Sequence, residues 1–304
     1  MKDKYDLVIA GGGTSGCAAA YIAGKLGLSV LLVEKSGCLG GSMTSGLVVP
    51  AMKSSKNQIN TEFYNDLIFE MKKLNSKITY QNNPGWFNPE VLKIALDSLL
   101  LKSNVDLCFN AYIDDVSHID GDIYTAKVKS VILSEYNNTI QNSDNLLSVD
   151  IDRLYLIDAT GNAEIFKKLN CEFLENFEEN QPFSLRFIMG GINLDIFSKW
   201  LCNIDSDREV TSTELTDEAI HLSTACTWDT SRDWALMPYF KDAIDKNILK
   251  TGDENYFQVF SVAGMNDSLA FNCPRLVNIP PKISLNNVSN ALIEGRQAIL
   301  RILN

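Results

Sequence analysis

The sequence predicts an α/β protein: a Rossmann-like, doubly wound nucleotide-binding domain followed by a second, mixed α+β domain. Three observations predict it. Gly11, Gly13 and Gly16 stand at G-x-G-x-x-G spacing between an apolar run, Leu7–Ala10, and a helical stretch from Ala18 to Leu26. Short alternating runs fill Ala111–Asp152, a β-meander in the position of a crossover. From about Cys171 the texture changes to mixed strands and helices, as far as Ile279.

Leu7–Ala10 has the length and composition of a buried strand. Gly11 allows the tight turn into the helix, Gly13 lets a pyrophosphate approach bare backbone, and Gly16 lets the helix pack on the strand. Free N–H groups and the dipole at the helix start favour phosphate charge. The phosphate-binding candidates are therefore Gly11, Gly12, Gly13, Thr14, Ser15 and Gly16. Ser29–Val33 reads as the second strand, and Glu34 at its end can accept hydrogen bonds from a ribose hydroxyl. The competing reading is a glycine-rich turn without a ligand. The strand before, the helix behind and the acid about 20 residues on argue against it.

After Glu34 the chain continues Lys35-Ser36-Gly37-Cys38-Leu39-Gly40-Gly41-Ser42-Met43-Thr44-Ser45-Gly46. Gly40 and Gly41 suit a loop pressed against a long phosphorylated ligand. Ser42, Thr44 and Ser45 can donate hydrogen bonds there, and Lys35 adjoins the acid. A flexible surface loop is the alternative.

These runs, G-G-G-x-x-G and E-K-x-G-x-L-G-G-x-x-T-S-G, resemble the FAD-dependent oxidoreductases of the glutathione-reductase-like superfamily, and more narrowly a bacterial group within it. Leu156–Asn162 resembles the A-T-G strand end that touches FAD, which implies roles for Ala159, Thr160 and Gly161. The resemblance also implies that Ile113, on the first meander strand, lies near the adenine. Ser184–Phe187, Phe271–Arg275 and Glu294-Gly295-Arg296 resemble landmarks of the narrower group. That group continues past this last helix with an Arg-rich segment that closes the flavin site, whereas this sequence stops at Asn304. The expectation is an incomplete flavin site with weak FAD retention, its cover supplied by a longer chain, a homo-oligomer or a second subunit.

Composition narrows the classes. Lys+Arg is 27 against Asp+Glu 38, a net charge of −11, which disfavours a nucleic-acid partner and with it an RNA-modifying flavoenzyme. No apolar run approaches the ~20 residues that span a bilayer. Glycines interrupt the N-terminal apolar stretch too early for a signal peptide. The seven cysteines are odd in number and form no C-x-x-C pair, which argues against a metal site or a disulfide framework and points to reduced thiols in a cytoplasm. Cys38 precedes the Gly40-Gly41 loop but has no partner thiol nearby.

Further along, Thr61–Leu74 reads as a helix, Tyr80–Asn88 as a turn-rich loop, and Pro89–Leu101 as a helix with Pro at its start. Asn104–Phe109 reads as a third parallel strand. The meander breaks at Asp120-Gly121-Asp122 and at Asn137-Asn138, and Leu154–Asp158 then returns to the sheet. Asn286–Leu303 reads as a final helix that also returns to the first domain. The expected domains are 1–170 with 281–304, which bind FAD, and 171–280, a substrate or cap domain.

Flavin carries redox chemistry, so the implied reaction is hydride or electron transfer on a small metabolite. Of two histidines, His118 lies beside a surface turn and His221 is the candidate acid or base. Arg186, Arg232 and Arg275 can each clamp a substrate carboxylate, with structural ion pairs as the rival reading. Trp228 and Trp234 read as ring stackers or as core. A binding or regulatory protein on the same fold is the alternative function. An NAD dehydrogenase is disfavoured by the meander and the A-T-G strand end.

Overall fold

The computed structural model describes residues 1–49, 51, 61–75, 77–80, 83–119, 123–131, 146–173, 183–215, 220–225, 234–276 and 284–304. The elements begin β1 (Lys4–Ala10), α1 (Thr14–Lys25), β2 (Val30–Val33), α2 (Thr61–Lys73), β3 (Lys77–Tyr80), β4 (Asn83–Phe87), α3 (Pro89–Leu101) and β5 (Val105–Cys108). They continue β6 (Ala111–Ile119), β7 (Ile123–Ser130), β8 (Leu146–Asp158), α4 (Glu164–Lys168), β9 (Phe183–Met189), α5 (Leu194–Ile204) and β10 (Thr211–Leu215). The last are β11 (Ile220–Ala225), α6 (Met237–Asp245), β12 (Gln258–Val262), β13 (Met265–Leu276) and α7 (Leu285–Leu303). Two compact units result: Met1–Lys77 with Phe87–Phe173, and Ile78–Trp86 with Leu174–Asn304.

The first unit is built on a six-stranded sheet in the order β5-β2-β1-β8-β7-β6. β5, β2, β1 and β8 run parallel, and β7 and β6 add on antiparallel. Alternation along the strands decides the core. Val8, Ala10, Leu31 and Val33 share one face and pack with Ala111, Ile113, Ala126 and Val128 of the meander and with Ile165. Each buried Val, Leu or Ile side chain of this set contributes about 1.5–3 kcal/mol. α1 buries Gly16, Cys17, Ala20, Ala23 and Gly24, small residues that allow close approach, and with them Tyr21. α3 starts where the Asn88 side chain accepts the Glu90 N–H at 2.9 Å, with Pro at the first turn.

The second unit holds a five-stranded antiparallel sheet, β10-β11-β12-β13-β9. Leu222, Val259, Leu269, Phe271 and Cys273 form its core with Leu194 and Leu201 of α5, and Phe187 stacks on Phe271 at 4.7 Å.

Several expectations are corrected. α1 begins at Thr14, not Ala18, because Gly13 caps it and polar Thr14 and Ser15 fill the exposed first turn. The expected loop at 80–88 contains β4, paired with β3; Pro84 is tolerated in a two-stranded pair. The return strand is not separate from the meander: β8 runs from Leu146 to Asp158 and pairs with both β7 and β1. The expected hairpin turns at 120–122 and 137–138 lie outside the described residues. The chain also divides differently from the expected domains. Residues 78–86 join the second unit, and so does α7, whose packing is on β13 and β9. The reason for α7 is close contact: a Cβ at Gly295 would lie 2.5 Å from the Leu185 side chain and 3.2 Å from that of Leu276. Arg301 fastens the helix further, donating to both carboxylate oxygens of Asp253 at 2.8 and 2.9 Å.

Candidate functional site

β1 delivers the chain to Gly11, which sits at φ +100°, where a side chain would be strained. A Cβ there would also lie 2.4 Å from the Ala159 carbonyl oxygen, and one at Gly16 would lie 1.9 Å from the Gly11 carbonyl oxygen. These two glycines are required by the protein's own packing. Gly13 is different. Its φ of −68° suits any residue, and a Cβ there would meet nothing within 4 Å among the described residues. The N–H groups of Thr14, Ser15 and Gly16 begin α1 and have no intrahelical acceptor. Bare backbone, open space and orphan donors fit a diphosphate at Gly13.

Glu34 ends β2 and is held from both sides. One carboxylate oxygen accepts the Gly12 N–H at 2.6 Å, and the other accepts the Ser36 N–H and hydroxyl, each at 2.7 Å. A carboxylate has about four acceptor positions, so capacity for a ribose hydroxyl remains. Ser36 was not among the sequence candidates. Its signal is a hydroxyl two residues after the acid, where a serine bonds back to the carboxylate. Lys35 is exposed.

The second glycine loop meets the first. Gly40 donates its N–H to the Gly12 carbonyl at 2.8 Å, and Gly13 and Gly40 form a parallel bridge. A Cβ at Gly41 would lie 3.0 Å from the Gly13 Cα. A 3-10 turn, Gly41–Met43, follows. Thr44 corrects one expectation. It is 1% exposed, and its hydroxyl donates to the Leu39 carbonyl at 2.5 Å, so it holds the loop instead of facing a ligand. Ser42 and Ser45 remain exposed, with the Ser45 hydroxyl 3.4 Å from the Cys38 sulfur.

The end of β8 completes the cluster. Ala159 donates to the Ala10 carbonyl at 2.8 Å. The Asp158 carboxylate accepts from the Thr160 N–H and hydroxyl and from the Ile165 and Phe166 N–H groups. Burial pushes its pKa up, and these hydrogen bonds outweigh that and hold it below the usual carboxylate range. Asp158 is thus a positioning residue that sequence reading passed over; an acid before A-T-G, with a helix behind it, is its signal. Thr160 is engaged by Asp158. Gly161, at φ +80°, would have open space around a Cβ. Ile113, expected near the adenine, lies on β6 with its side chain 4% exposed in the core.

The catalytic candidates lie elsewhere. His221 is 1% exposed, packed against Tyr80 at 4.4 Å and Trp86 at 5.0 Å, and among the described residues its Nε2 has no hydrogen-bond partner. Burial pushes its pKa down to about 4. It is a neutral packing residue, which corrects its reading as an acid or base. Trp234 is core, packed with Phe240 and Phe257. Arg186 and Arg275 lie on β9 and β13 of the second unit. Trp228, Arg232 and the His118 side chain lie outside the described residues. An open cleft beside α3 and β5, lined by Met1, Asp97, Leu101, Asp106, Leu107 and Phe109, contains none of the glycine loops. Among the described residues, no group of three or more His, Cys, Asp or Glu side chains is placed to hold a metal ion.

A glycine with open space beside a helix start, and an acid pinned next to it, fits the class of dinucleotide-binding α/β proteins. The chain belongs to the FAD dependent oxidoreductase family, which it matches over residues 6–304. Its cofactor is FAD, and the three joined loops fit it. The mitochondrial dihydrolipoyl dehydrogenase of Dictyostelium discoideum is 26% identical over 217 residues, 65% of this chain and 39% of that protein. Digeranylgeranylglycerophospholipid reductase 1 of Methanococcoides burtonii is 60% identical over 35 residues, 12% of this chain and 9% of that protein. The solved structure of the myxobacterial chondrochloren halogenase CndH shares the fold, with TM-score 0.53 at 12% identity over 98% of this chain and 57% of that one. The chain spans less than two thirds of the length of each of these three proteins. Among the described residues, no helix is long and apolar enough to cross a membrane.

Proposed function

We propose that the protein oxidises or reduces a small metabolite, with non-covalent FAD held by the first unit. The observation that carries this reading is Gly13: an open, unstrained glycine beside orphan helix N–H groups, which nothing in the protein's own packing requires. The pyrophosphate lies against Gly11–Gly16 and Gly40-Gly41, and the ribose at Glu34. The backbone near Ala159-Thr160-Gly161 carries the far end of the ligand. Bound FAD supplies the hydride or electron transfer. The residues of this chain bind and orient it: Glu34 orders the glycine turn, Thr44 fixes the second loop, and Asp158 fixes the third.

The 34–46 run supports a place in the glutathione-reductase-like superfamily, in the bacterial group named above. The net charge of −11 supports a small-molecule partner over nucleic acid. Cysteine usage supports a reducing, cytoplasmic compartment. An absorbance scan tests the central statement: the purified chain, reconstituted with FAD and desalted, should keep a band near about 450 nm that acid releases. A chain that stays colourless would count against it.

A further inference from the structure

The sheet of the second unit has two unlike faces. Phe187, Met189, Leu269, Phe271 and Cys273 belong to the helix-covered core. On the opposite face Ile188 and Ala270 are apolar, but beyond them Ser184, Arg186 and Asn272 make the end of β9 and β13 polar. Asn272 stands opposite Arg186, and one extra residue in β13 then brings Arg275 opposite Ser184. In an unbroken strand, residues three apart point to opposite faces. The extra residue therefore turns Arg275 onto the face shared by Asn272, Ser184 and Arg186. The intervening residues agree: Leu185 and Leu276 lie under Gly295 of α7, on the helix-covered side.

Around the two arginines the polar groups are fixed. The Ser184 hydroxyl donates to the Asn272 side-chain oxygen at 2.5 Å. The Asn272 amide donates to the Tyr256 hydroxyl and to the Gln258 side-chain oxygen, each at 3.1 Å. The Tyr256 hydroxyl donates to Gln258 at 3.0 Å. Asn272 is 5% and Tyr256 8% exposed, so this is a buried network, fully linked and therefore rigid. Arg186 and Arg275 are half-buried beside it. Guanidinium stays cationic in proteins, and its planar donors match a carboxylate.

We infer that the Arg186–Arg275 face of the second unit binds a small organic carboxylate, the substrate of the proposed oxidoreductase. The ligand's role as substrate rests on the oxidoreductase reading; its binding to this face does not.

Isothermal titration of the full chain with benzoate tests this, beside benzamide, which keeps the shape without the charge, and inorganic phosphate. Benzoate should bind, and benzamide should bind about tenfold more weakly or not at all. Arg186→Gln and Arg275→Gln should each weaken benzoate about tenfold, and Arg186→Lys should lose less than Arg186→Gln. FAD content should be unchanged in all variants. Should Arg186→Gln fail to fold, Arg275→Gln decides alone. The inference is overturned if wild type ignores benzoate, if benzamide binds as well, if the Gln variants bind benzoate like wild type, or if phosphate displaces it at equal concentration. A yellow chain indifferent to benzoate sinks this site and leaves the FAD reading standing. A colourless chain that binds benzoate through both arginines does the reverse.

Discussion

The backbone N–H of Gly40 donates to the carbonyl of Gly12 at 2.8 Å. That bond brings together two glycine loops that are separate in sequence. Gly12 is held from its other side as well, since its N–H donates to Glu34 at 2.6 Å. One residue thus links the first glycine turn, Glu34 and the second loop. In the proposed placement a ligand would meet a surface ordered before it arrives, which lowers the entropy lost on binding.

Glu34→Gln should damage this arrangement. Both carboxylate oxygens accept N–H or O–H groups, so either orientation of the amide sets a donor against a donor. The expected loss is about 1–3 kcal/mol in stability, with FAD affinity down about tenfold or more. Urea denaturation alongside FAD titration measures both. Wild-type values in the variant would remove Glu34 from the site.

Stability should depend on pH through His221. Its folded pKa, about 4, lies below its unfolded value of about 6.5. Between these values the unfolded chain binds more protons, so stability rises with pH. The contribution is fully present above about pH 6.5 and is lost as pH falls towards 4, by about 3 kcal/mol. Tyr80 and Trp86 pack on the ring, and no partner among the described residues meets Nε2. His221→Phe should flatten this part of the pH–stability curve relative to wild type. Parallel curves for the two proteins from pH 7 to pH 4 would contradict the assignment.

Much of the first unit was legible in the sequence because its signals are local. Gly11, Gly13, Gly16 and Glu34 fall within one strand-turn-helix-strand unit, where spacing alone specifies geometry. The second unit was legible only in outline. The apolar stripe of α7 says that the helix packs, not against which sheet; Gly295 against Leu185 decides that, across distant parts of the chain. The same limit hid His221, whose burial comes from Tyr80 and Trp86 on a segment that reads as a loop. Thr44 was misread because a hydroxyl in a glycine loop can face the ligand or the loop itself, and sequence does not separate the two.

Asp253→Ala should loosen α7. Asp253 is 6% exposed and accepts two hydrogen bonds from Arg301 and one from the Lys250 N–H. Arg301 keeps its bond to Glu294 at 2.9 Å, so the loss of the Asp253 bonds costs about 1–3 kcal/mol. Hydrogen exchange should show faster opening across Leu285–Leu303, while the strands of the first unit keep their protection. Unchanged exchange in α7 would show that the pair does not hold the helix.

The central claim is that Gly13 is bare for the ligand's sake. Gly13→Val is the most direct test, with Gly16→Ala beside it. The space around Gly13 accepts a side chain, so Gly13→Val should fold, destabilised only by its poorer helix cap, by about 1 kcal/mol. It should lose the FAD absorbance that wild type keeps after desalting. Gly16→Ala places its Cβ 1.9 Å from a carbonyl oxygen and should be destabilised whether or not FAD is present, by about 3 kcal/mol or more. A folded Gly13→Val protein that retains FAD as wild type does would contradict the account.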